Sequence, residues 1–384
     1  MRFALAFLFL TIHASELRGA VELVSPKDGE CVELLPEAQR EVMALPTMSN
    51  RLERLQSDAK GEGKYKGEDL WRKSNPLVLK WKPGSRKGKR KYWRVELWRA
   101  DFPERVRTEY VPFRHHHPDK AGILSWELPL ANLEVGADYR WRVDGGEPAA
   151  FRTADLAPRW IAIEGRSGNI RDLGGRKVSG GGRVRQGLVY RGRGLNDNSV
   201  DGKHRGRNRL TVEDVRYFTG TLGVKTDLDL RSGGETADLD ESPLGPGVKL
   251  IKRSSKCYRG IFGESGRKTM AENFRVFCDR GNYPIYFHCI GGADRTGSLA
   301  YVLNGVLGVD QHELETDWES TFYPRIPDAN PDPEHWCRES HFNVGFARYG
   351  KDGDSWNRRI ELYLLDCGVT ADEIATFREI MIEK

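Results

Sequence analysis

Tyr283-Pro-Ile-Tyr-Phe-His-Cys-Ile-Gly-Gly-Ala-Asp-Arg-Thr-Gly297 is the stretch that decides the architecture of this chain. Residues 284–287 are apolar and rich in branched and aromatic side chains, the composition of a strand buried on both faces. Gly291 and Gly292 let successive N–H groups turn inward and form an anion-binding nest. The apolar run that follows predicts a helix over 297–307, whose N-terminus brings a positive dipole end to the same point. Cys289 opens the loop and Arg295 closes it six positions later. A thiolate at Cys289 gains from the dipole, the inward N–H groups and Arg295. Arg295 presents a planar fork for two oxygens of a phosphoryl group, and Thr296 offers its hydroxyl to the sulfur. Thiolate, nest and fork specify phosphoryl transfer through a cysteinyl-phosphate, with Ile290, Gly291, Gly292 and Ala293 around the substrate. That chemistry needs no metal and no cofactor. The plainer alternative is a buried structural cysteine beside a surface arginine.

Outward from this loop, the half of the chain from 159 to 384 alternates strand-like and helical runs. Strands are predicted at 187–190, 224–231 and 284–288, and helices at 211–219, 268–279, 297–307 and 370–382. Thr211 with Asp214, and Thr370 with Glu373, have capping-box spacing. The alternation implies an α/β domain with a central, mostly parallel sheet flanked by helices. The Cys289 loop then falls at the carboxyl end of a central strand.

Residues 21–155 have a different periodicity. Tyr92-Trp-Arg-Val-Glu-Leu-Trp98 and Tyr139-Arg-Trp-Arg-Val143 alternate apolar and polar residues, Leu77-Val-Leu-Lys-Trp81 is more continuously apolar, and Phe151-Arg-Thr153 closes the series. Strands recurring between Pro and Gly turns predict an antiparallel β-sandwich. Residues 34–55 have helix-favouring composition and read as an insertion within it, followed by a polar, Gly/Lys-rich loop over 56–68. The tract His115-His-His117 lacks any further metal ligand and reads as a hairpin tip.

With 384 residues and a net charge of +5, the chain has room for two domains and a mild basic bias that suits an anionic substrate. The clusters 86–91 and 203–209 lack aromatic stacking partners and read as solvated loops, not as a nucleic-acid site. Residues 1–20 carry a basic start and an apolar core too short to span a bilayer, the pattern of a signal peptide. No later run is long and apolar enough to span. The expectation is therefore an exported protein, periplasmic or secreted. In that oxidising setting Cys31, Cys257, Cys278, Cys337 and Cys367 accompany Cys289 with a connectivity that spacing does not reveal. Cys257 is a candidate to bridge Cys289 reversibly.

The loop resembles the His-Cys-x5-Arg-Ser/Thr signature of cysteine-dependent protein tyrosine phosphatases. Gly168-Asn-Ile-Arg-Asp-Leu-Gly-Gly175, Val189-Tyr-Arg-Gly192, Thr226-Asp-Leu-Asp-Leu-Arg231 with Glu235, and His288-Cys-x5-Arg-Thr-Gly297 occur in that order. Leu307-Gly-Val309, Asp317-Trp-Glu-Ser320 and Gly368-Val-Thr370 with Glu373 and Arg378 follow. From about 165 to 384 the order is similar to the bacterial tyrosine phosphatase-like family with Asn-x-Arg-Asp and Asp-Leu-Arg motifs. Ahead of it, Ser25-Pro-Lys-Asp-Gly29 and 130–143 look like parts of a fibronectin type III-like module, a possible docking surface for a protein or a cell surface. By the resemblance Cys289 is the nucleophile, Arg295 the phosphate clamp and Arg231 a candidate substrate contact. Read as chemistry alone, Arg171 and Arg191 fit structural ion pairs with Asp172 or Asp229.

Many tyrosine phosphatases carry an acid on a mobile Trp-Pro-Asp loop before the active-site loop. Residues 252–270 hold no Asp here. Asp294, inside the loop, is the favoured acid and then base, with Glu264 and Asp317 as alternatives. Phosphoinositide-directed relatives often place Lys where this chain has Ala293, so the resemblance implies phosphotyrosine or another aryl phosphate over inositol polyphosphates. Two other readings remain: a phosphate-binding pseudophosphatase that serves as an interaction module, and a sandwich adhesin with a vestigial enzyme.

Overall fold

The computed structural model describes residues 21–65, 74–84, 91–165, 168–196, 210–236, 239–322 and 339–384. The signal-peptide expectation at 1–20, the basic clusters at 86–90 and 203–209, and Cys337 lie outside them. The chain divides into two compact units.

The first unit holds eight strands: β1 (Glu22–Ser25), β2 (Glu30–Val32), β3 (Val78–Lys82), β4 (Tyr92–Arg99), β5 (Arg107–Pro112), β6 (Leu124–Glu127), β7 (Asp138–Val143) and β8 (Ala149–Thr153). They form a three-stranded sheet, β1-β3-β6, and a five-stranded sheet, β2-β8-β7-β4-β5. Every pairing is antiparallel except β2 with β8, which is parallel. Trp81 of β3 meets Trp93 of β4 and Trp141 of β7 edge-on, at centroid distances of 5.9 and 6.5 Å, so these rings join the two sheets. The alternation read in 92–98 and 139–143 is the alternation of this core with the outer face.

The second unit takes in Glu33–Asn75, Leu130–Gly136 and Ala154–Lys384. The helical segment expected as an insertion in the sandwich thus clusters with the α/β half. It forms two helices, α1 (Glu37–Met43) and α2 (Met48–Ala59), the second capped by Thr47. Helix α2 runs on through residues expected to begin a loop. The reason is packing: Leu35, Val42, Met48 and Leu55 join the same apolar core as the strands around the Cys289 loop.

That core is built on a five-stranded sheet of β9 (Arg171–Asp172), β11 (Val189–Gly192), β12 (Thr226–Asp229), β13 (Lys249–Lys252) and β14 (Ile285–His288), with β10 (Arg183–Val184) outside it. The order β13-β12-β14-β11-β9 is parallel apart from antiparallel β9 at one edge. β14 is central and buried throughout. Its Ile285 and Phe287 face one apolar cluster, and its Tyr286 faces a second with Tyr190, Phe218 and Ile170. Both faces are covered, which is why the strand reads as a continuous apolar run.

The further helices described in this unit are α3 (Val212–Arg216), α4 (Glu264–Val276), α5 (Asp294–Leu307), α6 (Gln311–Glu319), α7 (Glu339–Phe346), α8 (Trp356–Asp366) and α9 (Ala371–Met381), and β15 (Ile382–Glu383) pairs with β10. Both expected capping boxes form. α5 starts at Asp294, three residues before the sequence expectation, because the loop tightens directly into its first turn. Gly308 ends it in the left-handed conformation, at φ +97°.

Gly174 lies where the 168–175 motif passes the chain near β10. A Cβ there would sit 2.2 Å from the Arg185 carbonyl oxygen and 2.6 Å from the Gln186 Cα. Both are backbone atoms and cannot rotate away. Gly174→Ala is expected to lower stability by about 1–3 kcal/mol, read as a shift in the urea midpoint; an unchanged midpoint would show that the backbone yields freely here.

Candidate active site

Cys289 follows the central strand directly and is 1% exposed. The next three carbonyls are each tied to the surrounding protein. Gly194 N–H donates to the Ile290 oxygen at 3.1 Å, Asn169 Nδ2 to the Gly291 oxygen at 3.2 Å, and Arg191 Nη2 to the Gly292 oxygen at 3.0 Å. In a trans peptide the carbonyl and the following N–H point in opposite directions. The N–H groups of Gly291, Gly292 and Ala293 therefore face away from these supports, as an anion-binding nest requires. Gly292 has φ +68°, and a Cβ on it would lie 2.5 Å from the Gly192 backbone, so a side chain is excluded twice over. Gly297 is equally constrained: a Cβ would meet the Trp318 ring at 2.6 Å.

Behind the loop lies a buried charge cluster centred on Asp317 of α6. Its carboxylate accepts from Arg191 Nη1 at 2.6 Å, Arg176 Nη2 at 3.1 Å and Arg171 Nε at 3.3 Å. Arg171 also donates to the Asp317 carbonyl and to Asn169 Oδ1, and its guanidinium stands 4.9 Å from the Trp160 ring centroid. All three arginines are buried. Burial alone would raise the Asp317 carboxyl, but Arg191, Arg171 and Arg176 hold it well below the usual carboxylate range. Burial pushes the Arg191 guanidinium down, while Asp317 and then Cys289 favour its charge. Arg171 and Arg191 thus pair with Asp317, not with the Asp172 or Asp229 expected as ion-pair partners. Asp172 serves Arg159 and the N–H groups of Gly174 and Gly187 instead.

Arg295 stands on the first turn of α5. Its terminal nitrogens donate to the two carboxylate oxygens of Glu235 at 2.6 and 2.9 Å. Burial opposes the Glu235 charge, yet the Arg295 fork and the Ser232 N–H and hydroxyl hold its pKa down to about 2. Burial also opposes the Arg295 charge, and Glu235 and Cys289 more than offset it. Cys289 thus stands in the field of two guanidinium groups, Arg191 and Arg295.

Asp294 precedes Arg295 and accepts a hydrogen bond from the Tyr258 hydroxyl. Tyr258 N–H donates to Ser298 Oγ at 3.1 Å, and that hydroxyl donates to the Asp294 carbonyl. The 255–262 segment is thereby fastened to the first turn of α5. Of the alternative acids, Glu264 is exposed at the start of α4, and Asp317 is held ionised among arginines. Thr296 is fully buried and its hydroxyl has no partner among the described residues, so the expected bond to the Cys289 sulfur is not formed. Arg231 is 3% exposed and bonded to both Asp229 oxygens and to Asn196 Oδ1, which commits its Nε and Nη2 to the protein. His288 lies between Asp227, 2.9 Å from its Nε2, and Asp229, 3.9 Å from its Nδ1. Burial opposes its protonation, but Asp229 and Asp227 raise its pKa.

Cys257, the candidate partner for Cys289, is a free thiol, as are Cys31, Cys278, Cys289 and Cys367. Burial, then the Asp294 carboxylate, pushes the Cys257 thiol up to about 11, with Arg295 acting in the other direction. No group of His, Cys, Asp or Glu suited to a metal ion occurs among the described residues, His115–His117 included. Among the same residues no helix is long and apolar enough to cross a membrane.

The comparisons with known proteins cover the segment that carries these residues. Residues 163–325 match the tyrosine phosphatase family. The matched segment holds β9, β11, β12, β14, the Cys289 loop and Asp317, which together make up the site. A protein of Cupriavidus necator, provisionally named a tyrosine-protein phosphatase, is 28% identical over 207 residues, covering 46% of this chain and 70% of the relative. Among solved structures, the core catalytic domain of the PP-IP phosphatase SIW14 from S. cerevisiae, in complex with citrate, is similar at 16% identity and a TM-score of 0.26. It covers 41% of this chain and 84% of that chain. The tyrosine-phosphatase match ends before α7–α9 and begins after α1 and α2.

From the sequence Asp317 stands out as a motif residue and a reserve acid, whereas Arg176, Tyr258 and Trp160 do not stand out. The signal for Arg176 was its place directly after the Gly-Gly pair of the 168–175 motif. Asp317→Ala would leave three guanidinium groups buried without their common counter-ion. It should cost about 3–5 kcal/mol in chemical denaturation; a loss under about 1 kcal/mol would mean the cluster relaxes into solvent.

Proposed function

We propose that the chain is an exported cysteine-dependent phosphomonoesterase acting on phosphotyrosine or a similar aryl phosphate. The observation that carries this reading is the tethering of three successive loop carbonyls, which turns the following N–H groups toward an anion beside a buried cysteine flanked by Arg191 and Arg295. In the proposed reaction the Cys289 sulfur attacks phosphorus and the bond to the leaving oxygen breaks. The nest and Arg295 hold the equatorial oxygens as charge builds on them. The pairing with Glu235 uses one N–H on each terminal nitrogen of Arg295 and fixes the plane of the fork; its remaining donors serve the phosphoryl group. Asp294 gives its proton to the leaving oxygen, then takes one from the water that attacks the thiophosphate, releasing inorganic phosphate and the thiolate. The Thr296 hydroxyl, buried and without a partner among the described residues, is available to the sulfur as it leaves.

Ala293 is buried and uncharged, which supports singly phosphorylated substrates over inositol polyphosphates. The name of the Cupriavidus necator relative points the same way. Purified protein should release phosphate from p-nitrophenyl phosphate and phosphotyrosine peptides with higher kcat/KM than from inositol polyphosphates, and Cys289→Ser should abolish turnover. No release from any substrate by the wild-type protein would favour a phosphate-binding interaction module. A preference for the polyphosphate would redirect the reading to inositol phosphates.

Asp294→Asn should lower kcat by roughly 100-fold on substrates with poor leaving groups and remove the basic limb of the pH–rate profile, because an acid gives a proton only while it holds one. A variant that keeps both would transfer the role of acid to another group, such as Glu264.

A further inference from the structure

The helical pair α1–α2 lies outside the segment that matches the tyrosine phosphatase family, yet it is tied to the cluster behind the loop at two points. The first is Arg51 of α2, which is fully buried. Its Nε donates to Glu319 at 2.6 Å, and its Nη2 to Glu319 at 3.0 Å and Glu315 at 2.8 Å. Its Nη1 meets the Leu45 carbonyl at 3.0 Å and His312 Nδ1 at 3.1 Å. His312 Nε2 lies 2.7 Å from the Met43 carbonyl. A proton on Nε2 satisfies both contacts, with Nδ1 accepting from Arg51. His312, Glu315 and Glu319 are three and four residues apart, so one stripe of α6 is gripped by a single guanidinium. The same helix carries Asp317.

The second point is Gln39 of α1, also fully buried. Its Oε1 accepts from Trp160 Nε1 at 3.1 Å, and Trp160 is the ring beneath the Arg171 guanidinium. The first tie thus ends on the helix that carries Asp317, and the second ends one contact from Arg171. That cluster holds the loop through Arg191 on the Gly292 carbonyl and Asn169 on the Gly291 carbonyl.

We propose that Arg51 is a positioning residue for the catalytic loop: by clamping α6 through His312, Glu315 and Glu319, it sets where Asp317 meets Arg171 and Arg191, and through them the direction of the loop N–H groups. Helices from ahead of the matched segment thereby become part of the working enzyme. The inference rests on the reading of the Cys289 loop as the phosphate site. Energetically the clamp is not a neutral strap. Burial pushes Glu319 up to about 7 against the pull of Arg51, so the carboxylate depends on this guanidinium for its charge. Removing Arg51 alone leaves buried acid unpaired.

The test uses the full chain with Arg51→Met, Arg51→Lys, and Arg51→Met combined with Glu319→Gln, each also in an Arg191→Lys background. Three quantities are read: kcat and KM on p-nitrophenyl phosphate, the thermal midpoint, and the rate at which iodoacetamide labels Cys289 with and without inorganic phosphate. Arg51→Met is expected to lower kcat about 10-fold with a smaller change in KM and to weaken protection of Cys289 by phosphate. Arg51→Lys should restore part of both. In the Arg191→Lys background the Arg51→Met loss should shrink, because the two act along one line of contacts. If Arg51→Met does not fold, the Glu319→Gln combination removes the stranded acid and carries the same expectations. A lowered midpoint with unchanged kcat and protection, or losses that multiply independently of Arg191, overturns the inference. Wild-type protein without turnover would count against the phosphatase reading, and phosphate protection of Cys289 would still report on the Arg51 clamp.

Discussion

Three buried guanidinium groups gathered on one carboxylate are the constraint from which the rest of the site follows. Arg171 comes from the edge strand β9, Arg176 from the turn beyond it, and Arg191 from β11, while Asp317 comes from a helix after the Cys289 loop. Taking such charges out of water costs several kcal/mol apiece, and Asp317 supplies the shared counter-charge that makes the arrangement tenable. Glu313 also pairs with Arg176, so two carboxylates face three guanidinium groups, which still leaves a positive surplus. That surplus stands behind a loop whose N–H groups also favour an anion, so fold and chemistry draw on the same electrostatic imbalance.

The cluster reaches the loop only because side chains are missing where backbones meet. Gly292 lies against the backbone of Gly192 and Arg193, Gly192 against the Tyr286 hydroxyl, and Gly297 against the Trp318 ring and Arg191. A methyl at any of these places would push the loop off its supports. The Gly-rich composition of the signature is thus less a matter of flexibility than of close approach. With those contacts in place the three loop carbonyls have fixed partners, and the peptide geometry fixes the directions of the N–H groups.

Much of this was legible in the sequence for a definite reason. β14 read as a buried strand because both its faces are covered, and the capping boxes at Thr211 and Thr370 read as helix starts because they are local hydrogen-bond patterns. α6 was not legible, since its apolar stripe is only Leu314 and Trp318 and its other buried positions are Thr316, Asp317 and Glu319. The membership of α1 and α2 in the second unit was equally hidden. Their apolar spacing announces helices but not which core receives them, and the sandwich strands on either side in sequence suggested the wrong neighbour.

The chain by itself determined the strand–loop–helix around Cys289, the residue types that meet an anion there, and the change from strand-rich to alternating periodicity near 159. These are properties of neighbours in sequence, governed by local backbone preference and hydrophobic period. Only the tertiary structure decided the partners of the charges: Arg191 with Asp317 and not Asp229, Arg295 with Glu235, Arg51 with Glu319. Ion pairs form between groups that folding brings together, and the cost of leaving any buried charge unpaired selects the partner across 60 to 268 residues of chain.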